Sequence, residues 1–411
     1  MQTASRVTLS CDGEIIRNPL ADPQAAYGEA QEAILSDAGL AQARAAITAW
    51  PGYATTPLHR LEGLAREAGV AALHYKDEGP RFGLGSFKAL GGAYAVAQLL
   101  RREIAARRGG EMPAMEEILR GDHRDVVREI TVCCATDGNH GRSVAWGAQT
   151  FGCNCVIFIH ATVSEGRKTA IEAYGAEVRR TTGNYDDSVR EAQHTAEREG
   201  WFVVSDTSYP GYTEIPKDVM QGYELMAAEA DAALAEPPTH ILLQTGVGGM
   251  AAAVAAYFKR RYGAARPKII LADPVNSACW AETIRAGVPT AVHGDLDTLM
   301  AGLACGEISI NAWEVLRESC DAVVTVSDAD AIALMTALAA PTSGDTPIVA
   351  GESAVAGLAA LFTLMRSEED RAALELGPDA RVLVFGTEAD TDPALYQQLV
   401  GRSAAQVLQV T

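Results

Sequence analysis

The chain has 411 residues, 48% of them hydrophobic and 21% charged, and a formal net charge of −19. That length can bury a large core and suggests two domains or more. The acidity argues against nucleic acid as a partner, because phosphates attract basic patches, and no apolar run is long enough to span a bilayer. The first residues, Met1-Gln2-Thr3-Ala4-Ser5-Arg6, lack the charged-then-apolar layout of a signal peptide, which places the chain in the cytoplasm.

In chain order, strand-like runs are predicted at Ala71–Tyr75, Ile130–Cys134, Cys155–Ile159, Ala176–Arg180, Phe202–Val204, Ile241–Gln244, Ile269–Ala272, Val323–Val326 and Val382–Phe385. Helical patterns lie between them, among them Lys168–Tyr174, Asp187–Glu199 and Val219–Leu234. Such alternation predicts an α/β fold of open, twisted, mainly parallel sheets flanked by helices. The densely charged segment Arg101–Arg128 reads as an exposed insertion ahead of the Ile130 strand. The eight cysteines form no C-x-x-C pair, so no disulfide framework is expected. Cys133, Cys134, Cys153 and Cys155 read as small buried hydrophobes on strands. The eight histidines show no metal-site rhythm, and no catalytic metal is expected.

Three glycine-rich segments carry the chemistry. In Gly83-Leu84-Gly85-Ser86-Phe87-Lys88-Ala89-Leu90-Gly91-Gly92, the later spacing of Phe87, Leu90, Tyr94 and Ala97 puts Lys88 in the first turn of an amphipathic helix. A lysine gains nothing from the helix dipole there. Desolvation by its neighbours would favour the neutral amine that forms a Schiff base with an aldehyde cofactor. A solvated lysine opening a surface helix is the plainer alternative. The second segment, Thr136-Asp137-Gly138-Asn139-His140-Gly141-Arg142, follows a strand and offers polar side chains on a sharply turning backbone. The third, Thr245-Gly246-Val247-Gly248-Gly249-Met250, joins a strand to an alanine-rich helix, as a phosphate cradle does. A lysine, a phosphate cradle and a polar loop together are what pyridoxal 5'-phosphate requires.

These segments resemble those of the fold type II (tryptophan synthase β-like) pyridoxal-phosphate enzymes, and within that superfamily the diaminopropionate ammonia-lyase branch. The resemblance also rests on Arg81-Phe82-Gly83-Leu84, Gly211-Tyr212, Ile215-Pro216, Met220-Gln221-Gly222-Tyr223, Met300-Ala301-Gly302-Leu303-Ala304-Cys305-Gly306-Glu307 and Gly386-Thr387-Glu388. They run in family order from about residue 30 to residue 400. The Met300–Glu307 phrase and aspartate rather than serine at position 137 are specific to the ammonia-lyase branch.

The resemblance implies a large discontinuous cofactor-binding domain, 1–89 plus 206–411, a small inserted α/β domain, 90–205, a cofactor cleft between them, and a homodimer. Lys88 would hold the cofactor as a Schiff base, with Asn139 at the ring hydroxyl. Gly246, Val247, Gly248, Gly249 and Met250 would take the phosphate, and Thr387 the pyridine nitrogen, which a neutral hydroxyl leaves unprotonated. Asp137 and Asp206 would be catalytic, Asp137 as base for a D-substrate and Lys88 for an L-substrate. Without the resemblance, Asp206 reads as a turn or helix-capping residue.

The reaction implied is α,β-elimination of 2,3-diaminopropionate to pyruvate and two ammonia, with carboxylates to bind the second ammonium. Gly85, Ser86, Tyr209-Pro210 and Ala354 depart from the family pattern in segments expected to line the pocket. A β-hydroxy amino acid of the serine, threonine or 3-hydroxyaspartate type therefore remains an alternative substrate. Two readings from other classes also stand at this point. Gly246–Ala251 with Asp273 loosely fits a dinucleotide fingerprint, as in a nicotinamide-dependent dehydrogenase. The other is a non-catalytic amino-acid-binding relative.

Overall fold

The computed structural model describes residues 7–136, 138–183, 185–341 and 344–409. Eleven strands occur among them. They are β1 (Ile15–Arg17), β2 (Leu58–Arg60), β3 (Ala72–Asp77), β4 (Thr131–Ala135), β5 (Asn154–Ile159), β6 (Glu177–Arg180), β7 (Phe202–Val203), β8 (His240–Gln244), β9 (Lys268–Pro274), β10 (Ala322–Val326) and β11 (Arg381–Gly386). All nine strand-like runs of the sequence fall on strands. β1 (Ile-Ile-Arg) and β2 (Leu-His-Arg) escaped because neither forms an apolar run, unlike the shorter β7 within Trp201–Val204.

The chain forms two compact units. The first comprises Met1–Ile34, Thr55–Ser86 and Met226–Thr411. Its seven-stranded sheet has the order β1-β10-β9-β8-β11-β3-β2. The five inner strands are parallel, and the short edge strands β1 and β2 pair antiparallel. β8, β10 and most of β9 and β11 are buried along their length. Apolar runs without alternation mean a parallel sheet covered on both faces. The helix Ala356–Leu364, apolar nearly all round, packs on β8, β9 and β10.

The second unit comprises Leu35–Ala54 and Phe87–Leu225, more chain than the 90–205 segment. Its sheet is all parallel, β6-β5-β4-β7. The helices Ala89–Arg108 and Asn139–Phe151 pack together, with Gly147 against Ala93. Another close approach sits at Gly222 on the helix Glu214–Ala233, where a Cβ would stand 1.9 Å from the Leu90 carbonyl oxygen.

One expectation is corrected here. Arg101–Arg128 is not a featureless exposed insertion: Arg101–Arg108 completes a long helix, and Met115–Arg120 and Arg124–Val127 are helical. Ile104, Met115, Ile118 and Val127 are buried. The density of charge masked this sparse apolar stripe.

Within the first unit, four charged side chains meet in the interior. Arg81 Nε donates to Glu78 Oε2 at 2.8 Å and Arg81 Nη2 to Glu229 Oε2 at 2.6 Å. Lys76 Nζ donates to Glu229 Oε2 at 2.7 Å and to the Thr56 carbonyl at 2.8 Å. Burial would raise the Glu229 carboxyl, but Arg81 and Lys76 hold it below its ordinary value. Two cations against two carboxylates leave no net charge in the core, and the network anchors the turn that leads to Lys88.

Removing one member leaves a buried charge uncompensated, at a cost of about 3–5 kcal/mol. Arg81→Met should therefore lower the unfolding free energy, read from denaturant curves, by that amount. Adding Glu78→Gln, which restores neutrality, should recover part of it. A single-variant loss under about 1 kcal/mol, the level of an exposed pair, would show that the network does not hold the turn.

Candidate active site

Lys88 stands one residue ahead of the helix Ala89–Arg108, as its N-cap, close to the predicted position. The turn before it contains left-handed residues at Phe82 (φ 52°), Gly83 (φ 70°) and Gly85 (φ 76°). Glycine and asparagine are the residues that enter this region readily, so glycine at 85 keeps the turn that asparagine would make. The turn is pinned by Ala389 N donating to the Gly85 carbonyl at 2.8 Å.

In the second unit, Lys88 Nζ lies 2.5 Å from Asp206 Oδ2. The two side chains are 18% and 20% exposed, so the pair is neither open to solvent nor sealed from it. The rings of Phe87 and Tyr223 flank the amine, their centroids 5.4 and 5.9 Å from Nζ. The amine thus has the apolar flank expected of it, together with a carboxylate. Burial alone would raise the Asp206 carboxyl; Lys88, 2.5 Å away, outweighs it and holds the group well below the ordinary carboxylate range.

His140 Nε2 lies 2.8 Å from the Val204 carbonyl, which can only accept. Nε2 therefore carries the proton, and Nδ1 turns its lone pair toward Asp206 Oδ2 at 3.8 Å. Burial lowers the histidine's pKa, which keeps the ring neutral. Tyr212 latches the Asp206 loop: its hydroxyl donates to the Val203 carbonyl at 2.8 Å and accepts from Ser205 N at 3.0 Å. The substituted Tyr209-Pro210 lies in the turn closed by Tyr212 N on the Tyr209 carbonyl.

Asn139 opens the helix Asn139–Phe151 directly after β4. Thr136 Oγ1 shapes that loop by accepting from Gly138 N and Gly141 N at 3.0 and 3.1 Å. Asp137 lies outside the described residues. The Asn139 and Asp206 loops leave the carboxyl ends of β4 and β7, which are adjacent parallel strands. That edge is where ligands bind in open α/β sheets.

In the first unit, β8 ends at Gln244 and the glycine loop leads into the helix Gly249–Tyr262. The Gly246 carbonyl is turned back to accept from Trp280 Nε1 at 3.1 Å, and the Val247 carbonyl accepts from Ser309 N at 2.9 Å. Among the described residues, the N–H groups of residues 246–251 meet no protein acceptor. Gly248 has φ +95°, and a Cβ there would fall 2.2 Å from the Trp280 ring. A Cβ on Gly246 would lie 3.0 Å from Cys305 Sγ. Free amides at a helix N-terminus, on a loop with no room for a side chain at Gly248, fit a phosphate dianion. Cys279 and Cys305 both border Gly246 as free thiols.

Thr387 follows β11, the parallel neighbour of β8, and so sits at the same sheet edge as the loop. Asp273 cannot serve as the acidic residue of a dinucleotide site. It is fully buried, bonded to the Thr245 hydroxyl, and its Oδ2 accepts from Trp280 N and Ala281 N at 2.8 and 3.0 Å. It caps the helix Cys279–Ala286, and burial pushes its carboxyl up to about 7.

Sequence reasoning gave no role to His140, Tyr212, Tyr223 or Gln244. The first three stood within quoted phrases, but their contacts join loops distant in sequence. Gln244 was hidden as the last residue of an apolar strand.

Because the Asp206 carboxyl is depressed by folding, its contribution is complete above its unfolded value and falls away as pH drops toward the folded one. The stability difference between the wild type and Asp206→Asn, both without cofactor, should be flat from pH 7 to 5 and shrink below about pH 4. Unfolding curves across that range check this; a difference that changes around neutrality instead would break the assignment of the charge to the Lys88 pair.

The pyridoxal-phosphate dependent enzyme family matches residues 49–388. A diaminopropionate ammonia-lyase of Salmonella typhimurium is 39% identical over 366 residues, covering 86% of this chain and 90% of the relative. The crystal structure of holo diaminopropionate ammonia lyase from Escherichia coli superposes with a TM-score of 0.86 at 36% identity, covering 95% of this chain and 97% of that one. The same Escherichia coli enzyme in complex with an aminoacrylate-PLP azomethine reaction intermediate gives a TM-score of 0.83 at 36% identity, covering 96% and 98%. The chain therefore has the fold of the type II pyridoxal-phosphate enzymes and belongs to the pyridoxal-phosphate dependent enzyme family, among its diaminopropionate ammonia-lyases.

Proposed function

We propose that this chain catalyses the pyridoxal-phosphate-dependent α,β-elimination of 2,3-diaminopropionate, in its L form and also its D form, to pyruvate and two ammonia. The observation that carries the reading is the Lys88–Asp206 pair: an amine placed for Schiff-base chemistry beside a carboxylate held ionised. The relatives' names point to the same substrate.

In this reading Lys88 would hold the cofactor's aldehyde carbon, Asn139 would meet the ring hydroxyl, and Gly246, Val247, Gly248, Gly249 and Met250 would hold the phosphate with their amides. Thr387 meets the ring nitrogen. Pyridoxal phosphate, when bound, supplies an electron sink for the charge left by a departing α-proton. Lys88 would remove the α-proton of the L-isomer, and Asp137 that of the D-isomer. Asp206, ionised at any working pH, receives the substrate's second ammonium, which a hydroxyl substrate would not offer. The β C–N bond breaks with its electron pair on nitrogen, and the released enamine hydrolyses to pyruvate and the second ammonia.

The proposed domains are residues 1–89 with 206–411 and the inserted 90–205, which carries Asp137 and Asn139. A cytoplasmic homodimer completes the proposal. The homodimer follows from the family resemblance; no helix among the described residues is long and apolar enough to cross a membrane.

Titrating the purified holoenzyme with D- and L-2,3-diaminopropionate, then serine and threonine, while following pyruvate and ammonia, tests the substrate. Two ammonia per pyruvate from the diamino acid is expected, with much slower turnover of the hydroxy acids. Asp206→Asn should lower kcat about 10²–10⁴-fold, the range for a group that handles protons or charge in the reaction. Efficient turnover of serine with none of the diamino acid would overturn the substrate and leave the cofactor standing.

A further inference from the structure

Gln244, the last residue of β8, is 3% exposed and lies one residue before the glycine loop. Its amide nitrogen donates to the Phe385 carbonyl at 2.8 Å and to Thr387 Oγ1 at 2.7 Å. The pairing of β8 with β11 ends at Leu242 and Val384, so the side chain satisfies a carbonyl beyond the end of the ladder. A carbonyl oxygen can only accept, so the Phe385 contact fixes which end of the amide is nitrogen. Thr387 Oγ1 is consequently an acceptor toward Gln244. Its single proton is directed elsewhere and meets no acceptor among the described residues. The amide oxygen of Gln244 is itself buried without a hydrogen-bond partner, a cost accepted for this orientation.

We propose that Gln244 is a positioning residue of the cofactor site: by donating to both Phe385 O and Thr387 Oγ1 it fixes the threonine hydroxyl as a donor, so that the pyridine nitrogen is held as an acceptor, without a proton. This rests on the reading of Thr387 as the neighbour of that nitrogen. Threonine alone does not settle the matter, because a hydroxyl can donate or accept. If Gln244 loses its donor, the Phe385 carbonyl is left bare and the Thr387 hydroxyl is the group placed to turn toward it. Its lone pairs would then face the ring, and a protonated nitrogen becomes the favoured form.

The test is NMR of holoenzyme loaded with pyridoxal phosphate isotope-labelled at the ring nitrogen, with cofactor affinity measured in parallel. The variants are Gln244→Met, Gln244→Glu and Thr387→Val. The wild type should give an unprotonated nitrogen signal at pH 7. Gln244→Met should move it to the protonated position. Gln244→Glu conserves volume and keeps the test open if the methionine variant fails to fold. A neutral carboxyl has one proton, which goes to the Phe385 carbonyl, so its oxygen accepts from Thr387 and the signal moves the same way. A residue that only supports packing would weaken cofactor binding without moving the signal. If Thr387→Val moves the signal and neither Gln244 variant does, the proposal fails while Thr387 keeps its place. If no variant moves it, the Thr387 reading fails and the proposal with it.

Discussion

The active site depends on one short contact, the 2.5 Å approach of the Lys88 amine to the Asp206 carboxylate. A lysine that must form and break a covalent bond has to be kept near its working position without being locked there. A partly buried carboxylate does that: it orients the amine, and its two oxygens leave capacity for a second cation. The surroundings then decide the protonation states. His140 stays neutral because burial disfavours its charge, whereas Asp206 stays ionised because Lys88 offsets the same burial. One buried environment thus leaves two neighbours in opposite charge states, the histidine neutral and the carboxylate ionised.

The folds of the two units explain how side chains far apart in sequence reach such positions. In each sheet the chemistry leaves the carboxyl ends of adjacent parallel strands, β4 with β7 and β8 with β11. Parallel pairing brings loops separated by dozens of residues to a common edge, where helix N-termini present their amides. Glycines serve where a side chain would collide. A Cβ on Gly248 would enter Trp280, and one on Gly386 would enter Tyr75. The buried Lys76–Glu78–Arg81–Glu229 network has a different purpose. An apolar core would be at least as stable, so a satisfied ionic cluster at the root of the Lys88 turn points to a fixed geometry there rather than to stability.

Much of this was legible in the sequence because the relevant signals are local. Strand-like runs marked nine of the eleven described strands, and glycine loops after strands marked the 246–250 loop and the Asn139 segment. The resemblance then supplied Asp206, which spacing alone left as a turn residue. What stayed hidden depends on pairing between distant segments. Nothing local distinguishes Gln244 from any polar residue closing a strand, since its importance comes from β11 lying alongside. Asp273 failed in the opposite direction. Its place after a strand suited a ribose contact, and only its bonds to Thr245, Trp280 and Ala281 identify it as a buried helix cap. The apolar stripe of Met115, Ile118 and Val127 was too thin to be seen among so many charges.

The central claim is that Lys88, and no other lysine, carries the cofactor. Among the described residues two other lysines are buried: Lys76, committed to Glu229 and Thr56, and Lys259, which donates to the Pro23 carbonyl. Borohydride reduction of the holoenzyme, followed by protease digestion and peptide mass mapping, distinguishes them directly. The account predicts one phosphopyridoxyl adduct, on the peptide containing Lys88. An adduct on the Lys76 peptide, or none on Lys88 after the protein has taken up cofactor, would contradict it.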